Sequence, residues 1–234
     1  MFTYYMPTQV FFGKGCIAES GQVLADLGKR ALLVTGRHSA KVNGSQDAFT
    51  GKLDELGISW YLFDDVENNP SIDTIRRAAA FAKEKGVDFV VGIGGGSPMD
   101  AAKAIALLCT DDLDDEQLFK GPYKKPLPIV AVPTTAGTGS EVTKVSVLTN
   151  VHAGTKQSIN TPLIFPVYAF ADPSFTESVS QTVTIDTAID ALSHAVEGYM
   201  SKLSTPMSDV WAEEAMLAII TSKFTIIGII KLLS

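Results

Sequence analysis

The sequence predicts an α/β fold, a parallel sheet covered by helices, followed by the start of an all-helical region. Three observations predict it. Over the first 150 residues short, almost continuously apolar runs alternate with longer helical patterns, glycines close those patterns, and past about Thr182 the chain reads as helix alone. The apolar runs are Ala31–Thr35, Trp60–Phe63, Asp88–Ile93 and Pro128–Val132, and their continuity predicts strands buried on both faces. Between them Asp47–Leu56 and Ile72–Lys85 carry helical periodicity and run into Gly57 and Gly86, where glycine accepts a left-handed cap. Strand, helix, strand in this order predicts parallel pairing, with any ligand beyond the carboxyl ends of the strands. A further helix is expected over Met99–Leu108. Later helices are expected over Thr187–Lys202 and Met207–Phe224, with Pro206 in the first turn of the second. The expected division is an α/β domain over residues 1–182 and an incomplete helical domain over 183–234.

Composition narrows the function classes. A chain of 234 residues with 46% apolar content can bury a sizeable core. Its net charge of −7, without a lysine or arginine cluster, argues against nucleic acid and for a small-molecule partner. Cys16 and Cys109 lie 93 positions apart, which suggests reduced core thiols and a cytoplasmic protein, without a disulfide framework. Met1-Phe-Thr-Tyr-Tyr-Met-Pro lacks the pattern of a signal peptide. Phe224–Leu233 is apolar but well short of the roughly 20 residues that span a bilayer, and it carries Lys231; a buried element or an altered tail is expected there, and no membrane partner.

Two loops follow successive strands. Val90-Val-Gly-Ile-Gly-Gly-Gly-Ser-Pro-Met-Asp100 runs from a strand into a helix, and its glycines let backbone approach a ligand while the N–H groups of the helix start hold a phosphate. Tight packing alone is the competing reading of such a turn. Pro133-Thr-Thr-Ala-Gly-Thr-Gly-Ser-Glu141 offers four hydroxyls on a backbone loosened by Gly137 and Gly139; alone it reads equally as a polar turn. Side by side at strand ends, the two loops point to a dinucleotide site.

Asp190 and His194 stand at i and i+4 of an expected helix, so a carboxylate oxygen and an imidazole nitrogen can face one metal ion. Two donors do not hold a catalytic metal, and the remaining histidines, His38 and His152, lie far upstream. Asp186 and Glu197 flank the pair and read as solvated carboxylates.

Taken together, Gly94-Gly-Gly-Ser-Pro-Met-Asp-Ala-Ala-Lys103, Pro133–Glu141, Asp172-Pro173 and Asp190-Ala-Leu-Ser-His-Ala-Val-Glu-Gly-Tyr199 resemble the iron-containing, group III alcohol dehydrogenase family, from Gln9 to about Ala218. The resemblance implies a Rossmann-like dinucleotide-binding domain followed by an all-helical metal-binding domain, with nicotinamide and metal meeting between them. By position it implies pyrophosphate contacts from Gly95, Gly96 and Ser97, with Pro98 and Met99 completing that turn, and a nucleotide lining of Thr134, Thr135 and Thr138. Asn69 would stand on the adenosine side and Lys156 toward the nicotinamide-side ribose. Asp190 and His194 match the family's first two metal ligands; two further histidine ligands have no counterpart in this chain. An aspartate with several imidazoles suits Fe(II) and also Zn(II). Where NAD-preferring relatives carry an acidic residue after the strand 31–35, this chain has Gly36, then Arg37 and His38, which favours or tolerates NADP beside NAD.

The expected activity is hydride transfer between NAD(P) and a small alcohol or aldehyde. Competing readings are a maleylacetate reductase or polyol dehydrogenase of the same superfamily, and a non-catalytic dinucleotide-binding module. Ile219–Ser234 matches the family poorly, so a truncated or frame-shifted product is expected, with a weakly held metal and exposed apolar surface that favours self-association. The sequence allows a homo-oligomer without fixing its size.

Overall fold

Alternation along two central strands sets the architecture. Strand side chains point to opposite faces with period two, and here Leu32, Val34 and Val90 enter one apolar cluster while Ala31, Leu33, Val91 and Ile93 enter another. A sheet that is apolar on both faces needs helices on both, and the intervening segments supply them. The computed structural model describes residues 1–222.

The strands are β1 (Gln9–Phe12), β2 (Arg30–Thr35), β3 (Ser59–Phe63), β4 (Phe89–Gly94), β5 (Ile129–Pro133), β6 (Val145–Asn150), β7 (Thr155–Asn160) and β8 (Tyr168–Ala171). Six form a parallel sheet in the order β1-β8-β5-β4-β2-β3, and β6 pairs with β7 as an antiparallel hairpin. The helices are α1 (Cys16–Ser20), α2 (Ser39–Val42), α3 (Ser45–Glu55), α4 (Ile72–Lys85), α5 (Gly96–Thr110), α6 (Asp115–Lys120), α7 (Gln181–Met200) and α8 (Pro206–Thr221). Ile72 and Ile75 of α4 and Ala101 and Ile105 of α5 fill one face of the sheet. Ile17 of α1 with Phe49 and Leu53 of α3 fill the other.

The order of strands locates a crevice. From β2 the chain moves outward to β3, whereas from β4 it moves the other way to β5, so successive connections diverge between β2 and β4. Thr35 pairs with Ile93 at that point, which places Gly36 and the Gly94–Ser97 turn on adjacent strand ends. Open α/β sheets bind ligands at such switch points.

The described chain divides into two units by contact. The larger holds Met6–Thr134 and Ser140–Glu177; the smaller holds Met1–Tyr5, Thr135–Gly139 and the chain from Ser178 onward. In the smaller unit α7 and α8 pack together, yet no residue of α7 is buried and Ala212 is the one buried residue of α8. Apolar side chains, among them Val196, Val210, Leu217 and the 59% exposed Trp211, are left at its surface.

The four expected central strands and the helices after them form, and Gly57 and Gly86 adopt φ of 64° and 60°. Trp60–Phe63 departs from the expectation of burial on both faces: β3 is an edge strand and these residues are half-buried. Strands β1 and β8, with four residues each, and the hairpin escaped sequence reading because short or exposed strands carry little apolar continuity. Helix α7 begins at Gln181, ahead of the expected Thr187, because the Ser180 side chain caps it by accepting from Val183 N–H. The last change of unit along the chain falls between Glu177 and Ser178. Phe224–Leu233 and the end of the helix expected to Phe224 lie outside the described residues.

Gly92 of β4 marks where strand and helix touch. A Cβ there would come to 2.9 Å from Met99 Cα and 3.0 Å from the Pro98 carbonyl, both backbone atoms. Gly92→Ala is expected to lower unfolding free energy by about 1–3 kcal/mol in a urea titration. Gly51→Ala, on open α3 surface with nothing within 4 Å, is expected to raise it by roughly 0.5–1 kcal/mol. Equal effects of the two substitutions would contradict the close contact.

Candidate functional site

The site begins at the amino end of α5. Gly95 is its N-cap in extended conformation, no side chain caps the helix, and no acidic residue stands in its first turn. The longer helices α4, α7 and α8, and the short α6, are each capped by a side chain, from Ser71, Ser180, Thr205 and Asp114, whereas α1, α2 and α3 are uncapped like α5. The first N–H groups of α5 therefore have no side-chain acceptor in a cap, and together with the helix dipole they suit an anion. Gly94 has φ of 147°, and a Cβ on it would meet Pro98 Cγ at 2.7 Å. A side chain at this position would force the turn off the strand end.

Ser97 in that turn is fixed from outside the helix. Its Oγ accepts from the Asn69 N–H at 3.1 Å. Asn69 has φ of 55°, a left-handed conformation that asparagine tolerates. Its carbonyl accepts from Thr149 Oγ1 at 2.9 Å and its Oδ1 accepts from Lys156 Nζ at 2.8 Å. The resemblance implies an adenosine-side Asn69 and a Lys156 toward the nicotinamide-side ribose; in the structure the two side chains are bonded to each other, and the Asn69 N–H is bonded to Ser97. An exposed ammonium next to a bare helix start adds attraction for a diphosphate.

Behind the turn lies a buried ionic network. Lys103, fully buried, donates from Nζ to Ser140 Oγ (2.8 Å), Thr143 Oγ1 (3.2 Å) and the Val145 carbonyl (2.7 Å). Three acceptors match the three N–H bonds of a charged ammonium. Ser140 Oγ donates in turn to Asp100 Oδ1 at 2.6 Å, and Val147 N–H donates to Asp100 Oδ2 at 2.9 Å. Burial pushes the Lys103 ammonium down to about 8, while Asp100 and Glu141 pull it back. Burial likewise raises Asp100, against the Lys103 charge and the Ser140 hydrogen bond, and it raises Glu141. The sequence alone gives Asp100 and Lys103 no role. The signal was there: an acid and a base three apart, in a helix whose residues 101–108 are otherwise Ala, Ile and Leu, mark a buried pair.

Thr134, just after β5, is buried and its N–H donates to the Gly94 carbonyl at 2.9 Å. Thr135 and Thr138 group instead with the smaller unit, where a Cβ on Gly137 would come to 2.9 Å from Thr187 Cβ. Gly36 leaves the end of β2 bare, and a Cβ there would meet the Val66 carbonyl at an ordinary 3.6 Å. Met99 and Pro98 are buried in the first turn of α5.

On α7, His194 Nε2 stands 3.9 Å from Asp190 Oδ1, with both side chains about half exposed. The pair has the donor chemistry of a divalent metal site but supplies two ligands. Among the described residues no group of three or more His, Cys, Asp or Glu could hold a metal ion. Asp186 and Glu197 are exposed. Cys16 and Cys109 are free thiols, and burial pushes each up to about 11.

The chain matches known proteins in sequence and in fold. Residues 7–173 match the family described as iron-containing alcohol dehydrogenase, and residues 184–228 match the C-terminal model of the Fe-containing alcohol dehydrogenase family. The second match continues past Ala218, where the sequence resemblance was expected to fade. An iron-containing alcohol dehydrogenase of Thermotoga maritima is 47% identical with a TM-score of 0.88, over 97% of this chain and 67% of that one. NADH-dependent butanol dehydrogenase A of Clostridium acetobutylicum is 37% identical over 86% of this chain and 52% of its own length. A sulfoacetaldehyde reductase of Bifidobacterium kashiwanohense, solved in complex with NAD+, is 34% identical with a TM-score of 0.86, over 94% of this chain and 59% of that one. The chain spans about half the length of the curated relatives it matches.

Lys103→Met would leave Asp100 and Glu141 buried without their cation, and is expected to cost about 3 kcal/mol of unfolding free energy at pH 7. The pH dependence has a defined sign. With the ammonium at about 8 when folded and 10.5 as its ordinary value, the unfolded chain holds more protons between those values. Stability from this group therefore rises with pH across that window. The two thiols, raised from 9.0 to about 11, act in the opposite direction but are common to both proteins. Urea unfolding of wild type and variant from pH 8 to 10.5 is expected to show a widening gap; a flat or narrowing gap would contradict it.

Proposed function

Because the chain belongs to the iron-containing alcohol dehydrogenase family, we propose that it is the nucleotide-binding and first metal-binding part of an oxidoreductase that moves a hydride between NAD(P) and a small alcohol or aldehyde. The observation that carries the nucleotide half is the uncapped start of α5 at the switch point of the sheet, flanked by Ser97 and Lys156. In this reading the N–H groups at Gly96 and Ser97 bind the pyrophosphate, and Gly94 and Gly95 let it approach the backbone. Lys156 neutralises part of its charge, with Asn69 fixing the direction of the ammonium. Thr134 lines the nucleotide, and Gly36 leaves room for either dinucleotide at the adenosine ribose. Residues 1–182 then act as the dinucleotide-binding part and 183–234 as the start of the metal-binding part.

When bound, the nicotinamide supplies the hydride chemistry, and a divalent ion, Fe(II) or alternatively Zn(II), supplies a Lewis acid for the substrate oxygen. Asp190 and His194 would hold the ion from one face of α7, the carboxylate lowering its net charge and the imidazole binding in neutral form. Free thiols at Cys16, which is buried, and Cys109, which is half-buried, suit a cytoplasmic setting, and no helix among the described residues is long and apolar enough to cross a membrane. Maleylacetate or a polyol would be served by the same nucleotide site, since the substrate pocket is set elsewhere.

A second reading is favoured by the metal pair itself. Two half-exposed donors would leave an ion mostly water-coordinated, so this chain would bind dinucleotide while retaining little metal. Fluorescence titration with NADH and anaerobic dialysis against Fe(II) separate the readings. The enzyme reading expects saturable NADH binding, one retained metal lost in His194→Ala with NADH affinity unchanged, and aldehyde-dependent NADH oxidation. NADH binding without metal retention supports the non-catalytic module. Absence of NADH binding overturns both.

A further inference from the structure

Beyond Gly36, three charged side chains from different segments converge. Arg37 donates through Nε at 3.0 Å and also through Nη2 to Asp65 Oδ1, while Arg77 of α4 donates through Nη2 to Asp65 Oδ2 at 3.3 Å. Both carboxylate oxygens are taken, each by a guanidinium. Arg77 is oriented by a second bond, to Thr74 Oγ1 at 3.1 Å. All three groups are well exposed, so the pairing is cheap to break and can be remade with another anion. The Val66 N–H donates to the Thr35 carbonyl at 3.3 Å, which holds the segment carrying Asp65 against the end of β2.

A phosphate on the start of α5 brings the adjoining ribose to the end of the neighbouring strand, β2, and in sheets of this kind the residues there read its 2′ substituent. Gly36 offers no side chain for that task. Arg37 and Asp65 are the next groups available, with Arg77 behind them. Two guanidiniums aimed at one anion form a receptor for a phosphate, and a carboxylate already occupies it. A 2′-phosphate must displace Asp65 and also meets the charges of Asp64 and Glu67, which act on Arg37 as well. A 2′-hydroxyl meets no such conflict, because it can donate to the carboxylate.

We infer that Asp65 is a specificity-determining residue: it occupies the Arg37–Arg77 receptor and thereby sets the balance between a 2′-hydroxyl and a 2′-phosphate dinucleotide. The inference rests on the dinucleotide reading of the site. Hydrogen bonds from both arginines hold the Asp65 carboxyl below its ordinary range, so the occupying group stays an anion at neutral pH. Removing that charge while keeping the shape frees both guanidiniums for the phosphate.

Asp65→Asn tests this by fluorescence titration with NADPH and NADH in parallel, with circular dichroism to confirm folding. The ratio of NADPH to NADH affinity is expected to rise about tenfold or more, and the gain is expected to vanish when Arg37→Ala and Arg77→Ala are added. A ratio that stays unchanged, or two affinities that fall together, overturns the assignment while leaving the nucleotide site intact. Failure of the unsubstituted protein to bind either dinucleotide overturns the nucleotide reading and this inference with it. Titration with 2′-AMP against 5′-AMP is a check that needs no nicotinamide: Asp65→Asn should favour 2′-AMP, and indifference to the phosphate position counts against the receptor.

Discussion

The carboxyl end of the sheet is organised by the burial of one ammonium group. Lys103 leaves α5 and reaches Ser140, Thr143 and the Val145 carbonyl, so the segment entering β6 is tied to the helix that starts at the glycine turn. From β6, Thr149 bonds the Asn69 carbonyl, and the Asn69 N–H returns to Ser97 at the first turn of the same helix. The hydrogen bonds thus close a circuit from α5 through β6 and Asn69 back to α5. Breaking it at Lys103 leaves buried carboxylates without compensation, which makes the circuit costly to open. Its consequence is a start of α5 that cannot shift along the end of β4 without losing several polar contacts together. The anion site proposed at this helix terminus would benefit from that rigidity, since its N–H groups are aimed before a ligand arrives.

How much of this was legible in the sequence follows from which forces leave a local pattern. Continuous apolar runs such as Leu32–Val34 and Val90–Val91 announce strands covered on both faces, and Gly86 announces the end of α4. The glycine turn at Gly94–Gly96 and the Asp190–His194 spacing are likewise local. Strand order is not, and the switch point between β2 and β4 emerges only when the sheet is assembled. The same holds for pairs far apart in sequence, such as Lys156 with Asn69 and Arg77 with Asp65. Exposed strands such as β7, Thr155–Asn160, are hidden for another reason: one buried residue in six gives no alternation to read.

The helical part of the chain is held by weaker terms. Ser180 and Thr205 cap α7 and α8, and the two helices pack together, but the described residues bury almost none of their apolar side chains. Local propensity and capping decide where these helices start and stop, while packing contributes little. Asp190 and His194 sit on this less supported element, whereas the nucleotide groups sit on strands and a buried helix. The proposed nucleotide half of the chemistry therefore has the more rigid support of the two.

The central claim is that a pyrophosphate rests on the uncapped start of α5, held in place from behind by Lys103. Its most direct test is a 1H–15N correlation spectrum of the protein titrated with ADP-ribose, which carries the pyrophosphate without the nicotinamide. The largest shifts are expected at the amides of Gly96 and Ser97, with a smaller one at Asn69. Saturable binding that leaves Gly96 and Ser97 unmoved would contradict the account.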